Sequence, residues 1–271
     1  MNMSITLKSP EEIEKMRVAG RLASEVLDYI TPFIKPGVTT GALDKLCHDY
    51  MVDVQNCIPA PLDYAPAGYK PYPKSICTSI NHQVCHGVPG DRQLKNGDIV
   101  NLDITTIKQG YHGDTSRMFH VGEVSIQAKR LCEVTFECLW LGIAQVRAGA
   151  HLGDIGHAIQ QYAEKSGYSV VREFCGHGIG ARFHEDPQVV HYGKAGTGIE
   201  LKANMIFTIE PMINAGKAAI RELADGWTIV TKDHSLSAQW EHTILVRETG
   251  FEVLTLSEGA RKPPEWVKLS S

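Results

Sequence analysis

The feature that most constrains this chain is that it repeats itself. Leu94 to Asp103 reads LKNGDIVNLD, and Leu201 to Glu210 reads LKANMIFTIE, so both fit L-K-x-x-x-I-x-x-[LI]-[DE]. Upstream of each stands a second echo, IKPGVTTGAL from Ile34 and VRAGAHLGDI from Val146. Short amphipathic patterns match by chance, but two matches in the same order at nearly the same offset point to a duplicated unit. Each unit runs helix, G-x-x-x-G turn, helix, strands, and then an acid at a strand end. The chain is therefore read as α+β, an antiparallel sheet with flanking helices. One domain is expected over residues 1–256 in two related halves, about 10–120 and 126–250, with residues 257–271 as a flexible C-terminal tail.

Local signals place the elements. Ser9-Pro10-Glu11-Glu12 is a capping box with proline at the first helical position, and apolar residues recur behind it at helical spacing until Pro32. Thr39 or Thr40 caps a second helix with Leu43, Leu46, Tyr50 and Met51 on its inner face. The passage IPAPLDYAPAGYKPYP from Ile58 is too rich in proline for a helix or a central strand and reads as an ordered surface loop. Helices are predicted from about Ile126 to Val146 and from Ile155 to Lys165, the latter ended by Gly167, with strands from Tyr168 to about Leu256.

The chemistry starts from LDITTIKQGYHGDTSRMF, Leu102 to Phe119, whose alternation predicts a β-hairpin. With Lys108-Gln109 at the tip, Asp103 lies directly opposite Asp114. Opposed Cβ atoms are about 5 Å apart, and two carboxylates there repel by about 3 kcal/mol at an effective dielectric of 20. Glu210 closes MIFTIEP and Glu241 lies in AQWEHTILV, a second pair of strand acids at corresponding points of the repeat. A solvated sheet face is the usual fate of an isolated strand acid, but four such acids in a repeated unit call for cations between them. CGHGIGARFHEDP adds His177 and His184. One imidazole beside four carboxylates describes a mostly oxygen site for first-row divalent metals, two of which can share bridging carboxylates.

Other readings fall to context. GHGIGA from Gly176 fits the dinucleotide fingerprint, yet no apolar helical stripe follows it. Cys85-His86 invites a nucleophile reading, but strand neighbours point to opposite faces. No H-E-x-x-H or P-loop is present. The composition, 43% hydrophobic and 21% charged, is that of an ordinary globular protein, and the net charge of -4 offers no general attraction to nucleic acid. Seven cysteines without a C-x-x-C pair predict a reduced, cytoplasmic chain with no disulfide framework. No apolar run approaches a membrane span, and MNMSITLKSPEEIEKM lacks a secretory pattern.

Taken together, CHGVP, GDIVNLD, HGDTSRMF, CGHGIG, FHEDPQV, FTIEPM and QWEHT closely resemble the methionine aminopeptidases in their short bacterial type I form. The likeness runs from SPEEIEKM to about Leu256. It implies the pseudo-two-fold "pita-bread" (creatinase/aminopeptidase-like) fold around a dinuclear site. It also implies removal of the initiator methionine from new proteins whose second residue is small. Asp114 and Glu241 would bridge two divalent ions, Asp103 would complete one, and His177 with Glu210 the other. Cobalt, manganese, iron(II), zinc and nickel all suit such ligands. Glu210 would serve as general base, while His86 and His184 would contact substrate around the scissile amide.

Tyr69, Tyr72, Cys77, Phe183 and Trp227 would line the methionine pocket. The loop before Tyr69 departs from the family: it is longer, and Pro66 stands where many relatives have cysteine. Implied partners are nascent polypeptide N-termini and, beyond them, the ribosome. The expected state is a monomer with no sequence-specific nucleic acid and no membrane. Relatives that cleave Xaa-Pro bonds usually carry a large preceding domain for which this chain has no room, and a non-catalytic peptide binder would be expected to have lost ligands that are all present here.

Overall fold

The computed structural model describes residues 5–269; residues 1–4 and the last two residues of the expected tail lie outside it. Helix α1 (Pro10–Ile30) starts on the predicted capping box: Glu12 N–H donates to Ser9 Oγ, and Ser9 N–H donates to the Glu12 carboxylate. Helix α2 (Thr40–Asp49) is capped by Thr39, whose hydroxyl accepts from Ala42 N–H, and runs on as one wide turn to Val54. Each such cap contributes about 1 kcal/mol.

The first half then forms β1 (Ile58–Pro59), β2 (Cys77–Ile80), β3 (Gln83–Cys85) and the long hairpin β4 (Ile99–Lys108) and β5 (Tyr111–His120). The prolines of the 58–73 passage leave it mainly loop, with β1 confined to two residues on β4. Helices α3 (Ile126–Ile143) and α4 (Leu152–Lys165) follow. The second half contributes β6 (Ser169–Val170), β7 (Gly176–Gly178), β8 (Glu185–Val189), β9 (Ile206–Ile209) and β10 (Met212–Asn214). It continues with β11 (Ile220–Glu222), β12 (Ile229–Thr231), β13 (Ser237–Gln239), β14 (His242–Val246) and β15 (Phe251–Val253). The first of the strands expected after Tyr168 is only the two residues of β6, because pairing with β10 ends at Val170. Every strand pairing is antiparallel: β4 carries β1, β2 and β5, and the second half orders β15-β14-β9-β7-β8.

The repeat is visible in matched backbone hydrogen bonds. Gly37 N–H donates to Leu94 O and Leu94 N–H to Val38 O, both at 2.8 Å; in the second half Gly149 donates to Leu201 O at 2.9 Å and Leu201 to Ala150 O at 2.7 Å. Val121 bonds to Asp98 as Val246 bonds to Met205, each at 2.9 Å. Gly97 and Asn204, at matching points of the two L-K turns, both hold positive φ.

These equivalences correct the expected symmetry of the acids. Asp103 and Glu210 correspond, but counting back from Val121 and Val246 places Asp114 opposite Gln239 and Ser116 opposite Glu241. Ser116 and Glu241 form a β-bridge with each other, at the seam where the halves meet.

The hairpin register is also corrected. The tip is Gln109-Gly110, both with positive φ (53° and 81°), as a two-residue turn between twisted strands requires. Asp103 therefore pairs with Ser116, and Asp114 with Thr105. The two acids remain on one face but are diagonal neighbours. Gly113 allows α1 to lie directly on β5, since a Cβ there would stand 2.2 Å from the Ala19 carbonyl carbon.

Two cores hold the layers. One joins α1 and α2 to the β4–β5 hairpin, and the other sets α3 and α4 against the second-half strands around Trp140 and Phe207. The segment after Leu256 follows the outer surface. Ser257 hydrogen-bonds Ser24, Gly259 N–H donates to Asp28, Arg261 pairs with Glu133 over the Phe136 ring, and Trp266 Nε1–H donates to Glu137. Among the described residues no helix is long and apolar enough to cross a membrane, and all seven cysteines are free.

Candidate active site

The seam carries the acids because the two halves are stitched there. Glu241 N–H donates to Ser116 O at 3.3 Å, Thr115 Oγ1–H to Glu241 O at 2.7 Å, and Thr243 Oγ1–H to Asp114 O at 2.7 Å. Asp114 and Glu241 therefore share one floor although they lie far apart in the chain. Donor atoms of Asp114, His177 and Glu241 all fall within 4.8 Å of one another. His177 Nε2 stands 3.6 Å from Asp114 and 3.7 Å from Glu210. Asp103 completes the set on β4. All five expected ligands line a single cavity of about 450 Å³, together with His86, His184 and the expected pocket residues Tyr69, Tyr72, Cys77, Phe183 and Trp227.

The ligand side chains are held from behind. Thr105 Oγ1–H donates to Asp114 at 2.8 Å. Thr208 Oγ1–H and Gln239 Nε2–H donate to the two oxygens of Glu210, at 2.8 and 3.2 Å, and Glu210 N–H donates to His191 Nε2. His177 Nδ1 faces Gly178 O at 3.0 Å. A carbonyl only accepts, so the neutral ring carries its proton on Nδ1 and turns the Nε2 lone pair to the acids, the arrangement typical of a metal-bound imidazole.

Electrostatics agree with a cation site. Burial, then the charges of Asp114 and Glu210, push the Asp103 carboxyl well above the usual range. Burial and the same neighbours do so for Glu241. Burial, only partly opposed by His177, lifts Glu210 to about 7. Burial pulls His177 down, but its hydrogen bond to Asp114 and the Glu210 charge outweigh this and leave it raised. Among the described residues no Lys or Arg forms an ion pair with any of the four acids. Buried carboxylates facing one another without cationic side chains, beside an imidazole lone pair, fit divalent metal.

The histidine pair flanks this floor. His184 packs at a tilt against His177 with centroids 4.2 Å apart and stacks on Phe183 at 4.3 Å. Burial, then the neighbouring imidazoles, lowers it to about 2. Burial lowers His86 to about 4. The loop bearing His184 is tied down by its neighbour: Glu185 forms a 2.6 Å ion pair with Lys8, their side chains 8% and 3% exposed, and also accepts from Arg182 N–H. His86 lies just beyond β3 with φ 55°, so strand alternation does not apply and both Cys85 and His86 face the cavity. The Cys85 thiol is nevertheless pushed well above its usual range by burial, and then by the Glu210 charge, which removes the nucleophile reading on better grounds.

The expected pocket residues fall into two groups. Tyr72, Cys77 and Trp227 pack as one buried cluster, with Tyr72 edge-on to Trp227 at 5.1 Å. Tyr69, 49% exposed, leans over Trp227 at 5.2 Å and forms a lip. Phe183 lies across the cavity, stacked on His112. Sequence reasoning passed over Tyr64, His112, Thr208 and Gln239. Only His112, two residues before Asp114, carried a signal; the others reach the site through tertiary contacts.

Residues 14–248 match metallopeptidase family M24. A methionine aminopeptidase of Escherichia coli (strain K12) is 58% identical over 255 residues, covering 94% of this chain and 95% of that protein. The crystal structure of methionine aminopeptidase from Rickettsia prowazekii has a TM-score of 0.90 at 56% identity, covering 93% of this chain and 100% of that one. X-Pro aminopeptidase from Thermotoga maritima, at 19% identity and TM-score 0.71, shares the fold, but this chain covers only 63% of it. The pita-bread architecture implied by the motifs is the one observed. The chain belongs to metallopeptidase family M24 and, within it, to the methionine aminopeptidases.

Proposed function

We propose that this protein is a metal-dependent aminopeptidase that removes methionine from polypeptide N-termini, using two divalent cations held by Asp103, Asp114, His177, Glu210 and Glu241. One observation carries the reading. A single cavity sets four carboxylates, Asp114 and Glu241 buried and Asp103 and Glu210 half-buried, and a lone-pair imidazole beside an apolar recess of Tyr72, Cys77 and Trp227. Aromatic edges and a thiol suit a flexible thioether side chain. Bound divalent cations would supply Lewis acidity toward the scissile carbonyl and lower the pKa of water at the site.

The chain's own residues do the rest. Thr208 and Gln239 orient the Glu210 carboxylate, which takes the proton from the attacking water and returns it to the leaving amine. His184 donates a hydrogen bond to the carbonyl oxygen, and His86 contacts the amide from the Phe174–Trp227 side, where its ring meets both at edge geometry. Phe183 and the Tyr69 lip exclude water from the bound side chain. The motif likeness extends the proposal to new proteins with a small second residue, handled by a cytoplasmic monomer, with the ribosome as a further partner. The test is a peptide panel: Met-Ala-Ser is cleaved rapidly, and Leu-Ala-Ser, Met-Lys-Ser and formyl-Met-Ala-Ser little. Equal kcat/KM on Leu-Ala-Ser and Met-Ala-Ser would defeat the methionine assignment.

A further inference from the structure

The proline-rich passage delivers one more side chain to the cavity, Tyr64. Asp63 N–H donates to Tyr72 O at 2.8 Å, and Tyr72 N–H donates to Tyr64 O at 2.9 Å. Residues 65–71 are thus an excursion with both feet pinned, and Tyr64 stands on a foot. Its ring lies 5.0 Å from Phe183 and 5.2 Å from His184, and its phenol oxygen is 2.7 Å from His184 Nδ1. Among the described residues the Tyr64 hydroxyl has no other hydrogen-bond partner.

A neutral imidazole carries one N–H and one lone pair, and the partner of one nitrogen decides the state of the other. His177 and His112 both turn Nδ1 to a backbone carbonyl, Gly178 O at 3.0 Å and Gly180 O at 2.9 Å, so each neutral ring keeps its proton on Nδ1. His184 differs from both because its Nδ1 meets a hydroxyl, which can donate. A phenol O–H is a stronger acid than a neutral imidazole N–H, and an imidazole nitrogen is a better acceptor than a phenol oxygen, so at 2.7 Å the phenol donates and Nδ1 accepts. Nε2 then holds the hydrogen. His177 and His184, whose rings meet at a tilt, so carry opposite tautomers as neutral rings: one offers a lone pair to the acid cluster, the other an N–H to the cavity.

We propose that Tyr64 is a positioning residue which, by donating its O–H to His184 Nδ1, fixes the Nε2–H tautomer that donates to the carbonyl of the scissile amide. The identity of the acceptor rests on the aminopeptidase reading; the tautomer does not. The test uses the full-length chain with ¹⁵N-labelled histidine, the His184 signals being assigned by their loss in His184→Asn. In chelator, the parent should show a pyrrole-type Nε2 and a pyridine-type Nδ1 at His184, and Tyr64→Phe should show the two forms averaged.

With metal restored, Tyr64→Phe should lose about tenfold in kcat on Met-Ala-Ser, the scale of one hydrogen bond, with KM within about twofold. A pyrrole-type Nδ1 in the parent would overturn the proposal. So would a Tyr64→Phe variant with an unchanged His184 spectrum, or one whose spectrum changes while kcat stays at the parental value. A parent with the expected tautomer that cleaves no methionyl peptide would instead defeat the aminopeptidase reading and leave the tautomer assignment standing.

Discussion

Replacing Glu241 by glutamine should make the metal-free protein more stable while weakening its response to metal. Ligand atoms of Asp114 and Glu241 lie within 4.8 Å of each other. Two charges at that separation repel by about 3.5 kcal/mol at an effective dielectric of 20. The metal-free fold avoids part of this by binding protons: burial first, and then the charges of the neighbouring acids, raise the Asp103, Glu210 and Glu241 carboxyls.

The pH dependence follows in sign. A carboxyl raised in the folded state binds its proton more tightly there than in the unfolded chain. Stability is therefore full below the unfolded value and is lost as pH rises through the folded one. For Glu210 that window runs from 4.5 to about 7, and a shift of this size corresponds to about 3 kcal/mol. Glutamine at position 241 keeps the side chain's size and removes one of the repelling charges. At pH 8 in chelator, relief of about 1–3 kcal/mol should raise the Tm by several degrees, since about 1 kcal/mol moves a domain of this size by roughly 2–4 °C. With manganese at about 100 times its Kd, the parent gains about 2.7 kcal/mol, which the variant, short of one ligand oxygen, does not match. Thermal melts at pH 5.5, 7 and 8.5, with chelator and with metal, read all of this. A Glu241→Gln variant less stable than the parent in chelator at pH 8 would refute the repulsion argument. So would a stability difference between variant and parent that fails to grow as pH rises, a comparison in which the contribution of the lowered histidines, His86 and His184 among them, cancels.

Lys8→Met should destabilise by about 3–5 kcal/mol in urea titrations, because it strands buried Glu185 without its partner, and adding Glu185→Gln should recover most of the loss. Gly113→Ala should cost about 3 kcal/mol or more, since the new Cβ meets backbone atoms of α1 that cannot yield; a urea midpoint equal to the parent's would mean α1 does not pack this closely on β5. Glu210→Gln should fold normally, retain some metal by elemental analysis and lose at least about 10²-fold in kcat. A kcat within a few-fold of the parent at saturating metal would move the proton-accepting role to His86 or His184.

What could be read from the residues was local or repeated. The Ser9 and Thr39 caps and the two L-K turns each depend on a few neighbouring side chains, and the acids were legible because strand patterns seldom tolerate them. The hairpin register was not. Lys108-Gln109-Gly110 offers two possible tips, and the choice lies in the positive φ that Gln109 adopts beside Gly110, which no propensity at a single position announces. The supposed symmetry of four acids failed for a similar reason. The strands holding Asp114 and Glu241 are equivalent in hydrogen bonding but do not share a sequence pattern, so only the fold reveals that Glu241 matches Ser116. Alternation misplaced His86 because β3 stops one residue earlier. Tyr64 was hidden because its position depends on backbone bonds to Tyr72, across an excursion that composition alone describes only as loop.

The central claim is that the four acids and His177 at the seam are a metal site driving methionine removal. The most direct measurement strips the protein with chelator, confirms by elemental analysis that metal is gone, and follows Met-Ala-Ser hydrolysis as manganese or cobalt is added back. Activity should be absent in the stripped protein, rise with added metal, and reach its plateau with no more than two ions bound per chain. Full activity in protein verified to be metal-free would contradict the account.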